Sequence, residues 1–348
     1  MTDRVDLEDS LEAINGYLYQ RRMTDGLPVI PPTEERVSAM IKASNRNAGD
    51  VIGQVPPLWA PATVDKIAIN SVMAGCEPGY MPAIIATVEA FLDPVFNPHS
   101  IQSTTNPVGP MIVFNGPIRH KLEINCGAGC FGPGTKANAT IGRALRLIML
   151  NVGGATPGDV DKSPLGWPGK YNSCCIGENE EESPWEPFHV ERGFRETDST
   201  VTLIPVSGMW AITETSPEDK MVLHQVTHGI AVSGHSAGMH VPEDFEQVLV
   251  MSPVIAGMIS RLKPGKNELK KHLFENARVP LDWYPAYRHE ASRKHLASLG
   301  IEAKNDMVPI CERWEDFIIL CAGGAGGLQS CGLSTMLGRA VTRKIEGV

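Results

Sequence analysis

The chain has no long apolar run, no excess of basic residues and no hydrophobic segment near its start. Among its 348 residues, no apolar stretch approaches the roughly 20 residues that a membrane-spanning helix needs. The opening sequence MTDRVDLEDS is polar and acidic, unlike the apolar core of a secretory signal. The formal net charge is -9, whereas proteins that hold nucleic-acid phosphates present a basic face. We therefore expect a soluble cytoplasmic protein that binds neither membranes nor nucleic acids.

Glycine, proline and cysteine are well represented. The 34 glycines and 27 prolines favour many turns and shaped loops over a long helical bundle. Structural disulfides are rare in cytoplasmic proteins, so the eight cysteines are expected to be free thiols. Cys76 and Cys311 are expected to be buried packing residues, because free cysteine behaves as a small hydrophobic group. Most of the others lie close to glycines and are better candidates for chemistry.

Apolar periodicity and turn residues predict a mixed α/β (α+β) fold. Helices are predicted at 7–22, 82–91, 138–150, 267–278 and 287–298, and after the caps Thr33, Thr63 and Ser216. Strands are predicted between 100 and 117, at 247–251 and 317–321, and in a β-hairpin over 200–215 that turns at Ser207 and Gly208. Strands that alternate with helices indicate a partly parallel sheet, with helices packed around it and glycine-rich loops at strand ends.

The predicted elements suggest two lobes. Residues 1–215 would form a lobe of helices and β-hairpins, and residues 216–348 would form an α/β lobe. One continuous domain is the alternative, because this length suits either one large domain or two ordinary ones.

The densest cluster of titratable residues lies at residues 171–194, here called the acid–histidine loop. Its prolines oppose a regular helix or strand, and two large aromatic residues can anchor it. Loops fixed on a scaffold are where catalytic groups concentrate. Because His189 titrates near neutrality and a carboxylate can orient it, we expect general acid–base catalysis by His189 with Glu178, Glu180 and Glu182. A surface loop whose acids face water is the alternative.

Cys126 and Cys130 stand four apart in a first glycine loop, residues 125–134. Two thiols in such a loop can share a metal or form a redox pair, although the spacing is not the Cys-x-x-Cys of zinc ribbons or thioredoxins. The loop runs into a helix near Asn138, whose N-terminus could bind a carboxylate or phosphate. A plain turn with two small buried residues is the alternative.

A second glycine loop, residues 322–327, follows the predicted strand at 317–321 and reads AGGAGG. Its peptide N–H groups, including those of Gly324 and Gly326, can form a nest for an anion. The same dipoles are expected to lower the pKa of Cys331 below the roughly 8.5 of a free thiol and to make it quick to alkylate. The loop is neither a Rossmann fingerprint nor a P-loop, because no βαβ unit and no Gly-Lys-Ser/Thr follows. A structural turn is the alternative.

A histidine pair, His224 and His228, stands four apart on a predicted helix, with His235 and His240 further along. Such a pair on one helix face can hold a divalent metal, although Gln225 breaks the HEXXH pattern of zinc proteases. Histidines that are merely exposed or packed on a helix are the alternative.

Several runs resemble one family of proteins. ENEEESPWEPFHVERGF, ANATIGRALRL with NVGG, TDGLPVIPP, and AGGAGG with VTRKI are similar to the larger protein associated with the bacterial UGSC (seleno)protein group. The resemblance covers about residues 24 to 345. It emphasises twelve residues: Glu178, Asn179, Glu180, Glu182, Trp185, Glu186, His189, Glu191, Arg192, Asn138, Thr140 and Arg143.

The family name refers to a selenocysteine or cysteine, Gly-Ser-Cys redox motif, and this implies thiol or selenol chemistry on a small molecule. In this chain the nearest match is Leu328-Gln329-Ser330-Cys331, which keeps only Ser330 and Cys331. The resemblance therefore also allows a UGSC-type partner subunit that carries the motif.

The sequence thus predicts an enzyme, acting as a homo-oligomer, that transforms a small anionic molecule by cysteine chemistry with His/Glu acid–base groups. The candidate catalytic residues are His189, Glu178, Glu180, Glu182, Cys126, Cys130, Cys174 and Cys331. The candidate substrate-binding residues are Asn138, Arg143, Trp185, Arg192, Gly324 and Gly326, with the two arginines as anion clamps. The sequence identifies no particular cofactor, and a divalent metal at His224 and His228, with nearby carboxylates, would make a hydrolase or lyase instead. A non-catalytic ligand-binding subunit of a thiol-reductase system is the other alternative.

Overall fold

The computed structural model describes residues 4–237 and 244–347. The helices found in these residues are α1 (Leu11–Gln20), α2 (Glu34–Ala43), α3 (Val64–Ala74), α4 (Met81–Phe91), α5 (Pro98–Ser103), α6 (Ile118–Lys121), α7 (Lys136–Asn151), α8 (Phe188–Glu191), α9 (Asp219–Ala237), α10 (Pro253–Ser260), α11 (Lys266–Asn276) and α12 (His289–Ser298). The strands are β1 (Val51–Val55), β2 (Ala60–Thr63), β3 (Gly109–Asn115), β4 (Ile176–Gly177), β5 (Thr200–Thr213), β6 (Gln247–Met251), β7 (Arg278–Pro280), β8 (Met307–Pro309), β9 (Phe317–Cys321), β10 (Gln329–Thr335) and β11 (Val341–Lys344).

The expected mixed α/β fold is confirmed, with helices around a sheet that contains both parallel and antiparallel strands. The main sheet has seven strands in the order β4-β3-β5-β10-β6-β9, and β11 also pairs with β5. The parallel pairs are β3 with β4 and β6 with β9. Strands from residues 1–215 and from residues 216–348 share this sheet, and β5 and β10 join the two parts. Within the described residues, none of the helices has both the length and the apolar character needed to span a bilayer.

The predicted hairpin over 200–215 is wrong, because β5 runs without reversal from Thr200 to Thr213. Its pairing with β10 shifts register between Ser334 and Thr335, so Ser207 is accommodated as a bulge. The Ser-Gly step does not reverse the chain, because both halves of β5 are paired along one edge. Residues 200–203 pair with β11, and residues 206–213 pair with β10. The strands predicted between 100 and 117 reduce to β3, since Pro98 starts the short helix α5.

The two faces of the main sheet are covered differently. Side chains alternate along a strand, so Leu249 and Met251 pack with the helices while Val248 and Val250 point to the opposite face. On the helical face, α4 packs against β5 and α9 packs against β10. The partly buried side chains on the opposite face come from loops, namely Phe131, Trp167 and Cys174, together with Cys331 of β10. This second layer is irregular, and it is where clefts can form.

The loop that leads to β4 packs closely against helix α7. A Cβ added at Gly142 would overlap the backbone carbonyl of Asn172, in the loop that leads to β4. Ser173 Oγ also donates to the carbonyl of Gly142 at 3.2 Å. Only a glycine allows this loop to approach the helix so closely.

We predict that Gly142→Ala destabilises the protein by about 2 kcal/mol or more, because the backbone must move to admit the methyl group. Gly257→Ala in α10 is the matched control, since a Cβ at Gly257 meets nothing within 4 Å. The control should gain about 0.5–1 kcal/mol from helix propensity. Urea unfolding of both variants measures the free energies, and equal stabilisation by both would contradict the close approach.

Candidate functional site

A cleft of about 420 Å³ opens where the parallel strands β6 and β9 end. Ligands in α/β proteins commonly bind at the carboxyl ends of parallel strands, because the loops that follow them meet there. Both glycine loops predicted from the sequence contribute to it. The lining residues are Ala128, Gly129, Cys130, Phe131, Gly132, Met209, Ala211, Thr213, Val250, Ser252, Ala322, Gly323, Gly324, Ala325, Gly326, Gly327, Gln329, Ser330 and Cys331. No charged side chain is among them.

The two glycine loops contact each other directly at the edge of the cleft. The N–H of Gly323 donates to the carbonyl of Cys126 at 2.8 Å. A Cβ at Gly324 would lie 2.7 Å from that of Ala128, so a glycine is needed for this approach. Within the described residues, the N–H groups of 324–327 have no hydrogen-bond acceptor. Ser252, at the N-terminus of α10, also borders the cleft.

Asn138 shapes the first glycine loop from within α7. Its side-chain oxygen accepts from the N–H of Asn125 at 2.8 Å, and its Nδ2 donates to the Asn125 carbonyl at 3.0 Å and the Cys130 carbonyl at 3.4 Å. Asn138 is buried and does not line the cleft. Asn138 therefore holds the backbone of the first glycine loop, and the substrate contact expected from the sequence stays a prediction.

The two cleft thiols, Cys130 and Cys331, and the nearby Cys174 have raised pKa values. Burial, with smaller contributions from Cys130 and Cys174, raises the pKa of Cys331 to about 12. Burial also raises the pKa of Cys130 to about 11 and that of Cys174 to about 12. All eight cysteines are free.

The expected lowering of the Cys331 pKa is therefore wrong. Cys331 lies within β10, opposite Ala211 and Val250 in the neighbouring strands, rather than inside the glycine turn. Desolvation of the buried thiol raises its pKa, and no peptide N–H of the glycine turn contributes a lowering that would offset this.

We predict that iodoacetamide alkylates Cys331 roughly 10³-fold more slowly at pH 7 than the same cysteine in the urea-unfolded chain. A raised pKa keeps the thiolate fraction small, so the rate should keep rising about tenfold per pH unit from 7 to 10. Peptide mass spectrometry of the alkylated protein measures both. A rate that already levels off near pH 8 would contradict a raised pKa.

The acid–histidine loop forms a buried ionic cluster beside β3. Asn115 Nδ2 donates to Glu178 Oε2 at 2.6 Å and to Glu180 Oε1 at 2.9 Å. Arg119 Nη2 lies 2.9 Å from both Glu180 Oε2 and Glu181 Oε1. The hydrogen bonds that Arg119 and, to a smaller extent, His120 donate to Glu181 lower the pKa of Glu181 to about 2. His189 Nδ1 lies 3.8 Å from Glu180 Oε1. The structure thus brings Glu178, Glu180 and His189 together, as the sequence suggested.

Helix α11 supplies the cations on the other side of this cluster. Lys266 Nζ lies 3.8 Å from Glu178 Oε1 and 3.5 Å from Glu191 Oε2, and Lys270 pairs with the other oxygen of Glu191. Burial raises the pKa of Glu178, and Lys266 opposes that shift. Lys266 Nζ, Glu178 Oε1, Glu191 Oε2 and both ring nitrogens of His189 are buried without a hydrogen-bond partner in the described residues.

The ionic cluster is linked to the cleft through hydrogen bonds from Asn179, but its own charged side chains do not line the cleft. The N–H of Asn179 donates to the carbonyl of Cys321 at 2.8 Å, and its Nδ2 donates to that of Gly323 at 3.3 Å. His189, Glu178 and Glu180 are absent from the cleft lining, and His189 is fully buried. Glu182 is exposed and also lies outside the cleft lining.

The other predicted binding residues are engaged elsewhere. Arg143 holds Asp25 with two bonds of 2.8 Å and also donates to the carbonyl of Pro28 at 2.9 Å, so it anchors the N-terminal segment. Arg192 donates to the carbonyl of Ala340 at 2.9 Å. Trp185 is buried, with Nε1 donating to the carbonyl of Lys263 at 3.3 Å. None of the three lines the cleft.

The two remaining candidate groups differ in their surroundings. The rings of His224 and His228 lie 4.3 Å apart on the exposed face of α9, while His240 lies outside the described residues. In 4–237 and 244–347, no three His, Cys, Asp or Glu side chains are placed to hold a metal ion. Cys126 lies outside the cleft, with its sulfur 4.0 Å from Arg119 Nη1.

Four residues of the cluster, Asn115, Arg119, Lys266 and Lys270, were not singled out from the sequence. Asn115 ends a buried strand, and Arg119 follows one turn later in α6. Lys266 and Lys270 are buried in a helix whose Glu268, Lys271 and Glu275 are exposed. A weak signal was available for Asn115 and Arg119, since polar residues at the end of a buried strand often serve a site. The sequence gave no signal that separates the two buried lysines from the exposed Lys271.

We predict that Lys266→Met destabilises the protein by about 3–5 kcal/mol, because it leaves Glu178 and Glu191 buried with less compensation. Adding Glu178→Gln should recover part of that loss, since one uncompensated charge is removed. The exposed Lys271→Met on the same helix is the control and should change stability by less than about 1 kcal/mol. Denaturant unfolding gives all four free energies, and equal losses at both lysines would refute the cluster's energetic role.

No protein-family model matches this chain, and no curated protein sequence matches it.

Proposed function

We propose that this chain binds a small organic anion in the cleft between the two glycine loops. The observation that carries the proposal is a cleft of about 420 Å³, at the carboxyl ends of two parallel strands, whose lining has no charged side chain. Cavities of this size suit small organic ligands.

The peptide N–H groups at the cleft favour a negatively charged ligand. The unpaired N–H groups of 324–327 and the N-terminus of α10 both present partial positive charge. Among the described residues, no carboxylate lines the cleft to repel an anion. The apolar side of the ligand would contact Met209, Phe131 and Val250.

Thiol chemistry on the bound molecule is the second candidate function, and Cys130 and Cys331 would be the reacting residues. What favours it is that both thiols line one cleft and Cys174 lies close to Cys331. The resemblance to the UGSC-associated protein favours the same chemistry. At pKa values of about 11 and 12, however, these thiols need a bound ligand or partner that stabilises the thiolate.

Binding is tested with Gly326→Leu, because a side chain at Gly326 meets nothing within 4 Å and would occupy the cleft. We expect inorganic phosphate, acetate or succinate to raise the melting temperature of the wild type, through binding to the folded state. Gly326→Leu should weaken that binding at least tenfold without lowering the melting temperature of the free protein. Gly49→Leu, at an equally open but distant glycine, should bind as the wild type does.

Equal stabilisation of all three proteins by these anions would place binding outside the cleft and contradict the proposal. The alkylation rate of Cys331 then separates the two functions. Because a bound anion by itself disfavours a nearby thiolate, a tenfold faster rate in its presence would mean that the liganded site stabilises the thiolate, and this would favour thiol chemistry. An unchanged or slower rate favours binding alone.

A further inference from the structure

The outer half of β5 has a strand neighbour on one side only. On one edge of β5, β3 pairs with residues 200–206 and begins at Gly109, which pairs with Val206. On the other edge, β11 pairs with residues 200–203 and β10 pairs from Val206 onwards. Beyond that point, residues 208–213 pair with β10 alone. Within the described residues, no other strand lies along the second edge of 207–213.

This open edge carries none of the charges that natural sheets use to prevent edge pairing. The strand reads TVTLIPVSGMWAIT and has no charged residue, although the chain as a whole carries a net charge of -9. Met209 is 47% exposed and Trp210 is 48% exposed, on opposite faces of the strand. Leu165 and Tyr171 are also exposed, in the loop whose Trp167 and Lys170 lie within 4 Å of a Cβ placed at Gly109, at the start of this edge.

We propose that two copies of this chain associate through this edge of β5, in antiparallel register about a two-fold axis. An antiparallel strand edge is complementary to itself, so a second copy satisfies the same backbone groups on both sides. The midpoint of 207–213 is Trp210, which would therefore face Trp210 of the partner subunit. Because the segment is uncharged, two copies of an acidic chain can meet here without opposing like charges.

The pairing would also complete the cleft. Met209, Ala211 and Thr213 belong to the outer half of β5 and line the cleft from that side. A second copy paired along the same edge would place its own β5 next to this wall. The inference itself does not depend on which ligand the cleft takes.

The test compares Trp210→Lys with Trp283→Lys, an equally exposed tryptophan (51%) far from β5 in the chain. Sedimentation velocity from 0.5 to 50 μM measures the dissociation constant, and thermal melting checks that each variant folds. We expect a dimer for the wild type and for Trp283→Lys. Trp210→Lys should weaken dimerisation about 100-fold or more, because it opposes two lysines across the axis.

Hydrogen exchange of the wild type provides a measurement that needs no variant. Amides of 207–213 on the open edge should exchange more slowly at 50 μM than at 0.5 μM. A monomer at 50 μM, a dimer that Trp210→Lys leaves intact, or exchange in 207–213 that does not depend on concentration would each overturn the proposal.

Discussion

The structure depends on a sheet that is covered by helices on one face and by loops on the other. Loops usually lie at the surface, because a buried loop must find partners for its peptide groups. Here side chains provide many of those partners. Arg119 Nη1 donates to the carbonyl of Glu178 at 2.7 Å, and Glu178 Oε2 accepts from the N–H of Phe188 at 2.7 Å. Asn138 does the same for the first glycine loop. Charged and amide groups are thus buried where regular hydrogen bonding is missing.

This arrangement separates the two groups that the sequence combined into one active site. Glu178 and His189 are buried and Glu180 is half-buried in the loop layer, whereas two of the candidate thiols, Cys130 and Cys331, line the cleft. Asn179 connects the two, since its backbone and side chain hold the end of β9 and the turn that follows. A change within the ionic cluster would therefore reach the cleft through the position of Gly323, without any direct contact between His189 and a ligand. Acid–base catalysis by His189 would require the cluster to open.

The sequence predicted the features that depend on local pattern. The helix that became α7, the buried strands β6 and β9, the two glycine loops and the grouping of Glu178 with His189 all follow from periodicity, composition or proximity in the chain. It could not predict the features that depend on distant pairing. Lys266 meets Glu178 across 88 positions of the chain, and β10 was missed because a strand of Ser, Cys and Gly has little local preference. The error on Cys331 has the same origin, because its pKa depends on desolvation by distant residues.

The bulge at Ser207 allows β5 both to pack against the helices and to form one wall of the cleft. Before the bulge, Leu203 faces the helices while Ile204 and Val206 face the loop layer. One extra residue reverses the alternation, so that Ile212 packs with the helices and contacts the position of Gly229 in α9. Met209, Ala211 and Thr213 are then left on the cleft face. Without the bulge, Ile212 would project into the cleft and Met209 would meet α9. One residue of irregular strand thus keeps the helix packing apolar and leaves mostly small side chains at the wall of the cleft.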